Sequence, residues 1–102
     1  MLAIDIGNTT IALGIVKKGK VVHSVRIDTT DRHNILKPLL TKQLNTLVNK
    51  GYDCSKVVIC SVVPLTTRLV ERSIKKLLNV NCTVIGRDVI VPMKNRYKKP
   101  SQ

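Results

Sequence analysis

Short apolar blocks separated by polar breaks fill the first quarter of the chain. MLAIDI (1–6), IALGIVK (11–17) and KVVHSVRI (20–27) are rich in branched apolar residues, the pattern of β-strands. Lys18-Gly19, between the second and third blocks, is a two-residue hairpin signal. Both connections are short, so the three strands are expected to pair as an antiparallel meander. Residues 28–34 are polar and read as a loop. Apolar residues then recur at Ile35, Leu36, Leu39, Leu40, Leu44, Leu47 and Val48, mostly in steps that place them on one face of a helix. Pro38 is tolerated only in a first turn, so this helix is expected to begin close to it, and Gly51 to end it. VVICSV (57–62) is a continuous apolar run, expected to be a strand buried on both faces and stopped by Pro64. A second helix is expected over 65–79, with Leu65, Leu69, Ile74, Leu77 and Leu78 on one face. CTVIG (82–86) supplies a fifth strand. The order βββαβαβ makes a mixed sheet covered by helices.

The break at the end of the first strand carries candidate chemistry. Asp5 closes a strand expected to be buried, where an acid is costly unless it meets a partner such as a hydrated cation. Gly7 allows close backbone approach. Asn8, Thr9 and Thr10 bring short hydrogen-bonding groups and amides around a tight turn, which can form an anion-binding concavity. An acid able to bear a metal beside a phosphate cradle is what phosphoryl transfer needs. The alternative is a plain hairpin whose Gly-Asn supplies turn conformations. Neither a P-loop nor a G-x-G-x-x-G fingerprint occurs.

Composition narrows the picture. With 102 residues the chain holds one small domain at most, and 43% hydrophobic content reads as globular. Phe and Trp are absent and only Tyr52 and Tyr97 are aromatic, so Ile, Val, Leu and Ala must build the core. No apolar run reaches the roughly 20 residues of a membrane helix, and the N-terminus lacks the pattern of a signal peptide. Cys54, Cys60 and Cys82 are odd in number and form no C-x-x-C, against a disulfide framework or a zinc site. Cys60 and Cys82 lie in apolar runs and are expected to be small buried hydrophobes, in a reducing cytosol. His23 falls in a strand and His33 in a loop, neither with an evident acid or nucleophile as partner. The net charge of +12 admits an anionic partner. The one cluster, Lys94, Arg96, Lys98 and Lys99, reads as a solvated surface. No recognition helix, zinc pattern or aromatic platform supports nucleic-acid recognition.

The element order matches the ribonuclease-H-like half of the actin-type ATPases. D-x-G-N-T at the N-terminus resembles the first phosphate motif of the acetate-kinase/Hsp70/actin superfamily. The longer LAIDIGNTTIALGIV resembles the start of the type III pantothenate kinases. VVHSVRIDT, VVICSVVPLTT and VPMKNRYKKP resemble further stretches of that family in the same order, so the likeness covers essentially the whole chain. The resemblance implies ATP binding along 5–12, by Asp5, Ile6, Gly7, Asn8, Thr9, Thr10, Ile11 and Ala12. It implies that Asp5 helps hold Mg²⁺, through water, and that Tyr97 contacts pantothenate. Ser61 and Pro64 are read as structural neighbours of the cleft. The family's catalytic general-base Asp is expected after Gln102, and its second actin-like domain and monovalent-cation (K⁺ or NH₄⁺) site outside this chain. The expectation is therefore an N-terminal actin-like ATPase domain over 1–102. It is the phosphate-binding half of a cytoplasmic, dimeric kinase, inactive alone, that joins a homodimer or a complementary C-terminal half. The alternative is a non-catalytic basic protein that binds nucleic acid or a partner chain.

Overall fold

The computed structural model describes residues 1–28 and 33–86, with side chains of the second block from Leu36 onward. Strand β1 (Leu2–Ile6) opens the chain, followed by β2 (Thr10–Lys17) and β3 (Lys20–Asp28). Helix α1 (His33–Asn49) leads to β4 (Val57–Ser61), then α2 (Pro64–Leu78) and β5 (Cys82–Ile85). The five strands form one sheet in the order β3-β2-β1-β4-β5. β1 pairs antiparallel with β2 and β2 with β3, whereas β4 lies parallel to both β1 and β5. The meander and the crossovers are those expected from the sequence.

Local chemistry explains the joints. Lys18 and Gly19 both take positive φ, at 53° and 77°. That is the geometry a two-residue hairpin needs to match the twist of its strands. Gly51, at φ 85°, ends α1, and the Tyr52 amide reaches back to the Leu47 carbonyl at 3.2 Å, closing open carbonyls of the last turn. Asn79 ends α2 in the same left-handed region, its amide 3.0 Å from the Lys75 carbonyl.

One cluster forms the core. Leu2, Ile4, Ile6, Ile11, Leu13, Ile15, Val57, Ile59 and Val84 project from one face of the sheet. They meet Leu36, Leu40, Leu44 and Leu47 of α1 and Val70 and Ile74 of α2. Both helices therefore cover the same face. The opposite face presents Ala3, Asp5, Ala12, Gly14, Val58 and Cys60 along a shallow, mostly apolar concavity.

Four expectations change here. β4 is not buried on both faces: Val57 and Ile59 point inward, while Cys60 is exposed. Cys82 is only half-buried, and Cys54 is the buried thiol. α1 begins at His33, so Pro38 falls in its second turn. The ring is exposed, and the stripe of buried leucines outweighs the hydrogen bond that Pro38 does not donate. In α2 the expected face is right at Ile74, with Leu69 and Leu78 partly buried against the core, and wrong at Leu65 and Leu77. Leu65 and Leu77 are exposed, whereas Thr66, Thr67, Val70, Ser73 and Ile74 are buried. Burial of Thr67 is tolerated because its hydroxyl donates to the Val63 carbonyl at 2.9 Å.

Candidate functional site

The turn between β1 and β2 sits at the C-terminal end of β1. Ile6 pairs with Ile11 to close it, and the Gly7 amide donates to the Thr10 carbonyl at 2.8 Å. Asn8 and Thr9 are exposed and Thr10 half-buried, with the two threonine hydroxyls 3.5 Å apart. Ile6 and Ile11 are buried on the helix-covered face and anchor the turn from below. Ala12 is half-buried and pairs directly with Asp5.

Two features separate this turn from an ordinary hairpin. Gly7 is not among the described residues with positive φ, so backbone conformation does not require glycine there. A Cβ built on it comes no closer than 3.5 Å to protein, at the Thr10 carbonyl, so packing does not require glycine either. Asp5 is the second feature. It is exposed on the open face of the sheet, not buried as the sequence suggested, because inward and outward residues alternate along β1. Across β4 its register partner is Cys60.

The neighbouring segment is held tightly to the turn. Ser61 pairs with Ile6, and the Val62 amide donates to the Ile6 carbonyl at 3.2 Å. The Ser61 hydroxyl accepts from the Val63 amide at 2.9 Å and donates to the Val63 carbonyl at 3.3 Å. Pro64 then starts α2, where its missing N–H costs nothing. Ser61 and Pro64 thus shape the wall beside the turn, in keeping with the structural role expected of them. Arg68 and Gly86, which no motif singles out, border a cavity on the far side of Ser61.

Other candidates part from the turn. His23 pairs with Ile15 at the opposite end of the sheet and stacks on Tyr52, ring centroids 5.2 Å apart. Its role there is packing. His33 has no described side chain, and Tyr97, Lys94, Arg96, Lys98 and Lys99 lie outside the described residues. Among the described residues no three His, Cys, Asp or Glu side chains converge on a common metal position. A single carboxylate such as Asp5 can still serve Mg²⁺, which is often held that way while waters and substrate phosphates supply its other ligands.

Comparison with known proteins places this geometry. The ethanolamine utilization protein EutJ from Carboxydothermus hydrogenoformans superposes with a TM-score of 0.54 at 16% identity, over 81% of this chain and 43% of that one. The activator of the 2-hydroxyisocaproyl-CoA dehydratase from Clostridium difficile, solved with bound ADPNP, superposes with a TM-score of 0.50 at 12% identity. It covers 81% of this chain and 53% of that one. The fold is thus that of the actin/Hsp70-type ATPases, ribonuclease-H-like, as the element order implied. The family model for type III pantothenate kinase matches residues 1–102. The chain belongs to that family. A type III pantothenate kinase of a Sulfurihydrogenibium species is 36% identical, over 100% of this chain and 41% of its own length. The chain spans about two fifths of the length of the curated relatives it matches.

Proposed function

We propose that residues 1–102 are the N-terminal, ATP-phosphate-binding part of a kinase that transfers the γ-phosphate of ATP to pantothenate, the first step of coenzyme A biosynthesis. The observation that carries the reading is Gly7. Neither φ nor packing asks for glycine, so the missing side chain serves something that approaches the turn from outside. Backbone amides and the hydroxyls of Thr9 and Thr10 would cradle phosphate oxygens. Asp5, exposed and next to the turn, would hold Mg²⁺ through water, and the metal would neutralise charge on the transferring phosphoryl group. Ile6, Ile11 and Ala12 set the position of the turn. ADPNP in the Clostridium difficile activator, a protein of the same fold, agrees with this reading. The proton acceptor and the monovalent cation are assigned to no described residue. Tyr97 is proposed as a pantothenate contact on family resemblance alone. The working assembly is proposed to be a cytoplasmic homodimer or a pairing with a polypeptide carrying the rest of the family's length. No helix among the described residues is long and apolar enough to cross a membrane.

The test is ATP turnover with pantothenate and Mg²⁺. It is run on this chain alone and mixed with the C-terminal three fifths of the Sulfurihydrogenibium relative. Turnover in the mixture, lost on Asp5→Ala with thermal stability unchanged, is the expected result. A mixture that associates but does not turn over, or an Asp5→Ala variant with undiminished activity, overturns the reading.

A further inference from the structure

Helices α1 and α2 leave a groove between them, and one stripe of α2 lines it. Leu69, Arg72, Ser73 and Lys76 recur at i, i+3, i+4 and i+7, the spacing of one side of a helix. Lys37 of α1 completes a cavity of about 220 Å³. That is below the roughly 300–1,000 Å³ of a site for a drug-sized molecule, so it suits a compact group. The lining shares no residue with the turn at 5–12 or with the cavity beside Ser61.

Ser73 is the residue that needs a reason. It is 5% exposed. Thr46 and Thr67 each return their hydroxyl proton to the carbonyl four residues back, at 2.9 Å. Ser73 makes no such bond to its own helix, and among the described residues no other acceptor takes its proton. A buried hydroxyl without a partner is destabilising, so its retention in this groove points to an acceptor that arrives from outside. Lys37, Arg72 and Lys76 around it are all exposed. Ser73 is therefore the floor of the cavity and the three cations are its rim. Among the described residues no carboxylate lines it.

We infer that this groove binds a phosphate group, either free or at the end of a small monoester. A carboxylate offsets only one of the three positive charges, whereas a phosphate group near neutral pH offsets nearly two. Its oxygens can also accept at once from the Ser73 hydroxyl, the Arg72 guanidinium and the lysine ammonium groups. The inference stands apart from the kinase reading, because the groove and the phosphate turn have no residue in common.

The experiment titrates inorganic phosphate into the full chain at constant ionic strength, set with NaCl, and follows the amide NMR shifts of Lys37, Leu69 and Ser73. Saturable shifts are expected there. Ser73→Ala and Arg72→Gln should each weaken binding about tenfold. Lys56→Gln, which removes an exposed cation that does not line the groove, should leave binding unchanged. Thermal melting gives a second readout. Without phosphate, Ser73→Ala should melt no lower than the wild-type chain, because an unpartnered buried hydroxyl is gone, and added phosphate should raise its melting temperature less. Glycerol 3-phosphate, run alongside, separates the two sources. Equal affinity assigns the site to a monoester, and binding weaker by about tenfold or more assigns it to free phosphate. Shifts that do not saturate, that NaCl alone reproduces, or that Ser73→Ala leaves unchanged overturn the inference.

Discussion

At Gly7, the fold and the proposed phosphate make different demands, and one substitution separates them. Gly7→Ala meets only the Thr10 carbonyl at 3.5 Å and an ordinary φ. The folded domain should keep its stability or gain about 0.4–1 kcal/mol, because alanine restricts the unfolded chain. On the proposed reading phosphate affinity should fall, because the methyl group would stand in the path of the phosphate. Urea melts and Mg-ATP titrations on the same variant check both halves, and an unfolded Gly7→Ala would return the glycine to a structural role. The three thiols offer a second reading of single residues. Cys60 is exposed, Cys82 half-buried and Cys54 buried, and burial pushes the Cys54 thiol above its ordinary range. The thiolate is the reactive form. Alkylation followed by mass spectrometry should therefore modify Cys60 first and Cys54 last. Cys60 faces the same side of the sheet as its register partner Asp5, so Mg-ATP should slow its modification more than that of Cys82.

At the scale of elements, the helices show how far periodicity reaches. In α1 the expected stripe is right at Leu36, Leu40, Leu44 and Leu47, all at most 2% exposed, yet Leu39 and Val48 stay at the surface at 40% and 44%. In α2 the predicted face holds at Ile74, and at Leu69 and Leu78, which pack partly buried against the core. It fails at Leu65 and Leu77, 65% and 37% exposed, and it omits the fully buried Val70. Several helix faces carry enough apolar residues to be chosen. A local bond from the Thr67 hydroxyl to the Val63 carbonyl lets a polar residue of α2 go inward. Alanine substitutions test the assignment. Leu44→Ala should cost about 2–5 kcal/mol of unfolding free energy. Leu65→Ala should stay within about 0.5 kcal/mol. Equal costs in denaturant melts would mean that α2 packs in another register.

Across the whole molecule, charge and layering dominate. A net charge of +12 on 102 residues repels itself, and salt screens that repulsion over roughly 10 Å at 0.1 M. The melting temperature should rise as NaCl increases from about 0.01 to about 0.2 M. A flat or falling response would mean that the cations are locally compensated. Layering has a consequence for the site. Both helices lie on one face of the sheet, so Asp5 and Cys60 look out from the other. The carboxylate next to the turn is thus open to water and to any metal that arrives with phosphate.

The sequence by itself determined the order of the elements, the two-residue hairpin at Lys18-Gly19, the end of α1 at Gly51 and the stretch D-x-G-N-T. Each of these is local: φ preferences, turn chemistry and the period of apolar residues act within a few positions. Tertiary structure decided which face of each element is covered. It turned Cys60 and Asp5 outward, brought Val70 of α2 inward beside Ile74 while leaving Leu65 at the surface, and carried Pro38 into a second turn. It also set Ser61 against Ile6 and brought Arg68 and Gly86 to one cavity. These outcomes depend on contacts between segments far apart in the chain, where burial summed over a whole layer outweighs the preference of any single residue.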